Sequence, residues 1–210
     1  MMILVKGKPD SGKSALAESL TLKLMADEYT GRDKPADNAG QTVTAEENNG
    51  QASSDEAEIR GQAASVSPLY LATMIPFGEE GAARVKKHRA MREGKGFETL
   101  EIPAGLCREE KRLAPYFGGV CLLECVANLA GNEMHAAEHV GRRLWELRDI
   151  VLEEILWLEQ NMKHLVVVTD IFEDLPDADE ETRLYIHLVN EVNRALEEKA
   201  DRVEGTYENT

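Results

Sequence analysis

Apolar and polar positions along the chain fall into two patterns: short solid apolar runs, and longer stretches where apolar residues recur every three or four positions. "MILVK", residues 2–6, is aliphatic without alternation, as expected of a strand buried on both faces. From Lys13 to about Ala26, Ala15, Leu16, Leu20, Leu22 and Leu24 supply the apolar surface of a helix. "PLYLATM" (68–74) predicts a second strand, Glu79 to Arg92 a helix, and "FETLEIP" (97–103) a short third strand. "GGVCLLEC" (118–125) is an apolar run ending in a carboxylate and suits a buried parallel strand. One long helix is expected from there to about Gln160, because Val140, Leu144, Leu147, Val151, Ile155 and Leu158 recur at helical steps. "HLVVVTD" (164–170) predicts another buried strand and Glu180 to Lys199 a last helix, while the tail "VEGTYENT" is too polar for a central strand. Strands alternating with helices predict a three-layer α/β domain with a mostly parallel sheet.

The pattern lapses between about Glu28 and Ser67, which is rich in Gly, Asn, Asp, Glu, Ser, Thr and Ala, with Val43 and Ile59 among its few bulky aliphatics. Such a stretch buries too little apolar area to offset its ordering entropy, so a disordered insertion at 28–67 is expected within a single domain spanning 1–210. The net charge of −15 argues against nucleic acid or an anionic membrane as partner, because both present phosphate. No apolar run approaches the roughly 18–20 residues of a membrane span, and "MMILV" is too short for a signal peptide. Cys107, Cys121 and Cys125 are odd in number and lack paired metal spacing, which favours reduced thiols and a cytoplasmic location.

Chemistry enters directly after the first apolar run. "GKPDSGKS", residues 7–14, has the spacing Gly-x-x-x-x-Gly-Lys-Ser between a strand and a helix. Gly7 and Gly12 bracket a loop whose N–H groups, from Lys8, Asp10 and Ser11 among others around Pro9, would turn inward on one anion. Lys13 would set an ammonium on the β- and γ-phosphates, Ser14 would offer a hydroxyl to Mg²⁺, and the helix would aim its positive end at the phosphates. These features predict a P-loop NTPase-like, RecA-like domain. Such a loop works with an acidic residue at the end of a neighbouring apolar strand. Glu124 and Asp170 are the two candidates for the metal, each with the competing role of capping the next helix.

Other candidates are weaker. "HAAEH" (135–139) would put two histidines on one helical face but lacks a third ligand. Trp145 and Trp157 read as core or subunit interface, His164 and His187 as ordinary packing or surface residues, and Cys125 as inert.

Five stretches after the loop, in order, resemble the adenosylcobinamide kinase / adenosylcobinamide-phosphate guanylyltransferase family. They are "YLAT" (70–73), "EGAARVKKHRAMR" (80–92), "FETLEIP" (97–103), "LLEC" with Asn132, and "NRALEEKADRV" (193–203). The resemblance implies an enzyme that phosphorylates the corrinoid's hydroxyl and then transfers GMP from GTP to that phosphate. It further implies His88 as a nucleophile guanylylated on the way, with GTP and ATP as substrates, Mg²⁺ as cofactor and a homo-oligomer, a trimer in that family. Arg84 and Arg92 lie at i−4 and i+4 from His88 and share its face, where with Lys87 and Arg89 they would bind a triphosphate. Glu101, in the matched "FETLEIP", joins Glu124 in the expected nucleotide site.

The chain also departs from that family. "TDIFEDLP" (169–176) stands where an Asn-Glu-Val-Gly loop is expected, Gly81 replaces a methionine, and Gly78 replaces an acidic residue. Two alternatives therefore stay open: a diverged nucleotide-binding protein lacking one or both activities, and a small-molecule kinase with another substrate.

Overall fold

The computed structural model describes residues 1–32, 67–76 and 78–206. In chain order these form β1 (Met2–Gly7), α1 (Lys13–Arg32), β2 (Leu69–Ala72), α2 (Gly78–Arg92), β3 (Glu98–Glu101) and the single turn α3 (Glu110–Leu113). There follow β4 (Val120–Glu124), α4 (Val126–His135), α5 (Leu144–Asn161), β5 (His164–Asp170), α6 (Glu180–Lys199) and β6 (Arg202–Thr206). The six strands form one sheet in the order β3-β2-β4-β5-β1-β6, and every pairing is parallel.

Why the solid apolar runs become central strands is visible in their burial. Successive side chains of a strand face opposite sides of the sheet. Along β1 Met2, Ile3, Leu4 and Val5 are all buried, as are Val120 to Leu123 on β4 and Leu165 to Val168 on β5. Both faces of the middle of the sheet are therefore covered. α1 packs across β1, β4 and β5, while α4, α5 and α6 pack on one another and on β5 and β1. Among the described residues, polar β6 pairs with β1 alone and takes the edge, the place where a strand with a half-exposed Val203 is tolerated.

Three expectations need correcting. The long helix up to Gln160 is two helices. Ala136 is extended, a 3₁₀ turn spans Ala137–His139, and Gly141 has φ 81°, a left-handed conformation that interrupts any helix. Val140, placed by periodicity on the core stripe, is 78% exposed in this break, whereas Leu147, Val151, Ile155 and Leu158 are buried as expected. With the helix broken, "HAAEH" has no single helical face: His135 ends α4 beside Glu181, and His139 turns to Glu133. Finally, α1 continues beyond Ala26 through Arg32, so the start of the polar stretch is helical. Glu28 is anchored to Lys163 and His164. The remainder of the proposed insertion, with Val43 and Ile59, lies outside the described residues.

Trp145 is 53% exposed at the start of α5, and Trp157 packs edge-on against Phe117 at 5.8 Å. Among the described residues no helix is long and apolar enough to cross a membrane.

Candidate functional site

In a parallel sheet the strands end together, and loops at their carboxyl ends shape the crevice where ligands bind. Here the carboxyl ends of β1, β2, β4 and β5 are Gly7, Ala72, Glu124 and Asp170. Above them opens a cavity of about 580 Å³. Its walls include Pro9, Asp10, Gly12, Lys13 and Ser14 from the loop after β1, Tyr70 and Ala72 from β2, and Glu124, Cys125 and Asn128 around the β4–α4 junction. Val168 and Asp170 close it from β5, Met74, Ala83 and Val85 from the segment leading into α2 and from α2 itself, and Glu101 from β3.

The loop turns through two left-handed residues. Asp10 has φ 59° and Gly12 φ 83°. A side chain at Gly12 would meet nothing within 4 Å, so glycine is there for its backbone conformation rather than for space. The Ser11 N–H donates to the Lys8 carbonyl at 3.2 Å, closing the turn, and α1 begins at once with Lys13.

Each polar group at the strand ends has a partner. The Lys13 ammonium, 7% exposed as a residue, sits 2.6 Å from Asp170 Oδ1 and donates to the Lys8 carbonyl at 3.1 Å. Ser14 Oγ donates to Glu124 Oε1 at 2.5 Å, and the Tyr70 hydroxyl donates to Glu124 Oε2. Glu124 and Asp170 thus turn toward the loop instead of capping the helices that follow. α4 has Cys125 at its N-cap with no side-chain cap, and α6 is capped by Asp179, which accepts from the Thr182 N–H at 2.8 Å.

A second layer holds these ends in place. Asn193 on α6 donates to the Asp170 carbonyl at 2.8 Å and accepts from Thr169 Oγ1 at 2.5 Å, fixing the last turn of β5. Thr73 Oγ1 both accepts from the Cys125 N–H at 2.7 Å and donates to the Cys125 carbonyl at 2.8 Å. Asn132 bridges the Thr73 and Pro103 carbonyls at 2.7 and 2.8 Å. Cys125 Sγ lies 3.9 Å from Asp170 Oδ2. Burial first, and that carboxylate second, push the thiol up to about 12, so it stays protonated and unreactive.

Of the residues singled out from sequence, Pro9, Asp10, Gly12, Lys13, Ser14, Glu101, Glu124 and Asp170 meet at one cavity. Gly7 ends β1 behind the loop, and its carbonyl accepts from the Ile171 N–H at 3.0 Å. Lys8 turns its ammonium outward to Glu173 of the divergent 169–176 loop at 2.9 Å and contributes its carbonyl instead. Glu101 is held by Arg89 of α2. Positions 84, 88 and 92 follow one another by single turns along α2, the helix that brings Ala83 and Val85 to the cavity. The side chains of Arg84, Lys87, His88 and Arg92 lie outside what is described. Tyr70 and Asn128 were missed as site residues. The sequence signal for Tyr70 is its place in "YLAT", which marks the stretch and not the side chain, and Asn128 carries none.

The donor set at the Ser14–Glu124 corner is all oxygen, a hydroxyl beside a carboxylate, which suits a hard divalent cation such as Mg²⁺. The same corner adjoins the ammonium of Lys13, a charge able to meet an anion.

Among curated proteins no relative matches the chain. A family model does match, described as cobinamide kinase / cobinamide phosphate guanyltransferase, over residues 47–207. The span takes in α2, Glu124, Asp170 and β6, and the loop at 7–14 precedes it. With more than half of its length matched, this chain belongs to the cobinamide kinase / cobinamide phosphate guanyltransferase family.

Proposed function

We propose that the chain is a P-loop enzyme that phosphorylates adenosylcobinamide and then transfers GMP from GTP to the product through a guanylylated His88. The observation that carries the reading is the convergence of Lys13, Ser14, Glu124 and Asp170 on one cavity at the carboxyl end of a parallel sheet. Family membership supplies the substrate class.

In the kinase step, the loop from Lys8 to Ser14 and the N-terminal end of α1 cradle the β- and γ-phosphates. Lys13 exchanges Asp170 for a phosphate oxygen and balances the charge that spreads over the transferred group. Asp170, left beside the site, keeps the lysine oriented while the cavity is empty. Ser14 and Glu124 would hold Mg²⁺, whose chemistry is to neutralise phosphate charge and align the transferring group. Phosphoryl transfer asks mainly for position and electrostatic balance, which is what this residue set offers.

For guanylyl transfer, a neutral imidazole suits a nucleophile near pH 7. A His88 ring nitrogen attacks the α-phosphorus of GTP, the P–N bond forms, and the bond to the bridging oxygen breaks to release pyrophosphate. The phosphate of the phosphorylated corrinoid then attacks the same phosphorus, breaks the P–N bond and leaves with GMP. Arg84 and Arg92, one turn to either side of His88, would accompany the triphosphate.

Incubation with α-labelled GTP should leave acid-labile, base-stable label on the native protein and none on His88→Ala. Label retained in His88→Ala, or absent from the native protein, removes the covalent step. With no label on the native protein, phosphorylation of cobinamide at an undiminished rate by His88→Ala would leave a kinase alone.

A further inference from the structure

Resting on the reading of Glu124 as the carboxylate that serves Mg²⁺, we infer that Tyr70 is a positioning residue that holds Glu124 in the orientation the cation needs. Glu124 is gripped at both oxygens, by Ser14 at Oε1 and by the Tyr70 hydroxyl at Oε2. The two contacts differ in kind. Ser14 itself belongs to the proposed cation site, so its hydroxyl leaves Glu124 when the cation arrives. The Tyr70 hydroxyl is not assigned to that cation site and keeps its bond to Glu124.

Strand register explains why a tyrosine at this position reaches that carboxylate. β2 and β4 are parallel, with Tyr70 opposite Leu122 and Ala72 opposite Glu124. Tyr70 therefore starts two residues, about 6–7 Å of strand, short of Glu124, which is the reach of a phenol leaning along the strand. The ring is fixed before it bonds: Tyr70 is 2% exposed, and Phe97 meets it edge-on at 5.8 Å and 89°. A hydroxyl donating to a carboxylate away from bulk water is a strong, directional bond. It occupies Oε2 and leaves Oε1 facing Ser14. Partners of this kind around a metal-holding carboxylate set its orientation, and their loss weakens metal affinity.

The test is Mn²⁺ titrated into protein carrying guanosine 5′-(β,γ-imido)triphosphate, followed by the EPR signal of free Mn²⁺. Tyr70→Phe keeps the ring and should weaken Mn²⁺ binding about 10-fold or more. Binding of a fluorescent GTP analogue in EDTA should stay at the native value. Glu124→Gln is run beside it. Weakened binding in Glu124→Gln with native binding in Tyr70→Phe overturns the role of Tyr70 and leaves the cation reading standing. Native binding in both variants overturns the cation reading and the role of Tyr70 together. Tyr70→Met separates the lost hydroxyl from lost packing: it should weaken Mn²⁺ binding at least as much as Tyr70→Phe, and a native value there also overturns the proposal.

Discussion

Two pairs of carboxyls in this molecule live under opposite conditions. Glu124 and Asp170, at the carboxyl ends of neighbouring strands, open on a cavity and are surrounded by donors: Ser14, Tyr70 and the Lys13 ammonium. Glu133 on α4 and Glu154 on α5 are buried between helices, with donors too few for four oxygens. Glu133 Oε1 accepts from the Gly105 N–H at 2.8 Å, and beside Glu154 the Leu106 backbone only partly opposes the effect of burial. The second oxygen of each is buried and receives no hydrogen bond. His139 Nδ1 lies 3.0 Å from Glu133 Oε2 but is equally close to the Glu133 carbonyl oxygen, toward which its hydrogen bond is directed. Arg108 is committed at the surface to Glu138, at 2.6 Å. Burial first, and the neighbouring Glu133 second, push the Glu154 carboxyl up to about 7. Where donors surround a carboxylate, it is ready to exchange a protein partner for a ligand. Where they are lacking, it keeps a proton.

The strand-end pair depends most on Lys13. Lys13→Ala removes the one ammonium between the loop and Asp170 and leaves that carboxylate partly buried without its counter-charge. Loss of a preorganised charge of this kind should lower kinase turnover about 10²–10³-fold. Turnover of cobinamide with saturating nucleotide checks it, and a loss below about 10-fold removes Lys13 from the phosphoryl-transfer machinery. Glu154→Gln, in the donor-poor pair, should leave that turnover at the native level at pH 7.

What could be foreseen of these two regions differs for a physical reason. The loop, Lys13, Ser14 and the acids Glu124 and Asp170 were legible because each obeys a local rule: fixed spacing in the loop, and a carboxylate closing an apolar strand. All the solid apolar runs became strands, since β-rich runs too short for a helix leave little choice. The break between α4 and α5 was hidden because Val140, which lies inside it, falls in step with Leu144 to Leu158, while Gly141 alone marks the interruption. The pairing of Glu133 with Glu154 depends on two helices meeting, and neither position carries a sequence signal. Tyr70 was hidden for the same reason, because its partner is two residues along a different strand. Edge placement of β6 agrees with its polar composition, which argued only against the centre of the sheet.

pH acts on the buried pair through Glu154. The folded carboxyl of Glu154 binds its proton up to about 7, whereas in the unfolded chain it releases it in the ordinary carboxyl range. Its contribution to stability is therefore fully present below the unfolded value, near pH 4, and is lost as pH rises through about 7. The loss is on the order of 3 kcal/mol when complete. Glu154→Gln removes the titration, and the introduced amide adds a donor beside Glu133. Urea unfolding across pH 5–9 should show the native protein losing stability toward alkaline pH and Glu154→Gln with a flatter profile, the two diverging most above pH 7. Parallel profiles would mean that the Glu133–Glu154 pair does not hold the proton assigned to it.

The smallest effect distinguishes how much of that shift belongs to the surface. Arg108 is a cation that acts on Glu154 to lower its pKa, opposing burial and Glu133. It is 62% exposed on its side chain and already paired with Glu138, so water screens its influence on the buried carboxyl. Arg108→Gln should therefore raise the Glu154 midpoint by about half a pH unit or less. ¹³C carboxyl chemical shifts of labelled glutamate read that midpoint directly. A larger upward move would make Arg108 a true counter-charge, and the pair would then resemble Glu124 and Asp170 rather than contrast with them. No move at all would place the whole control of Glu154 inside the contact between α4 and α5, where desolvation and one neighbouring carboxylate suffice to hold the proton.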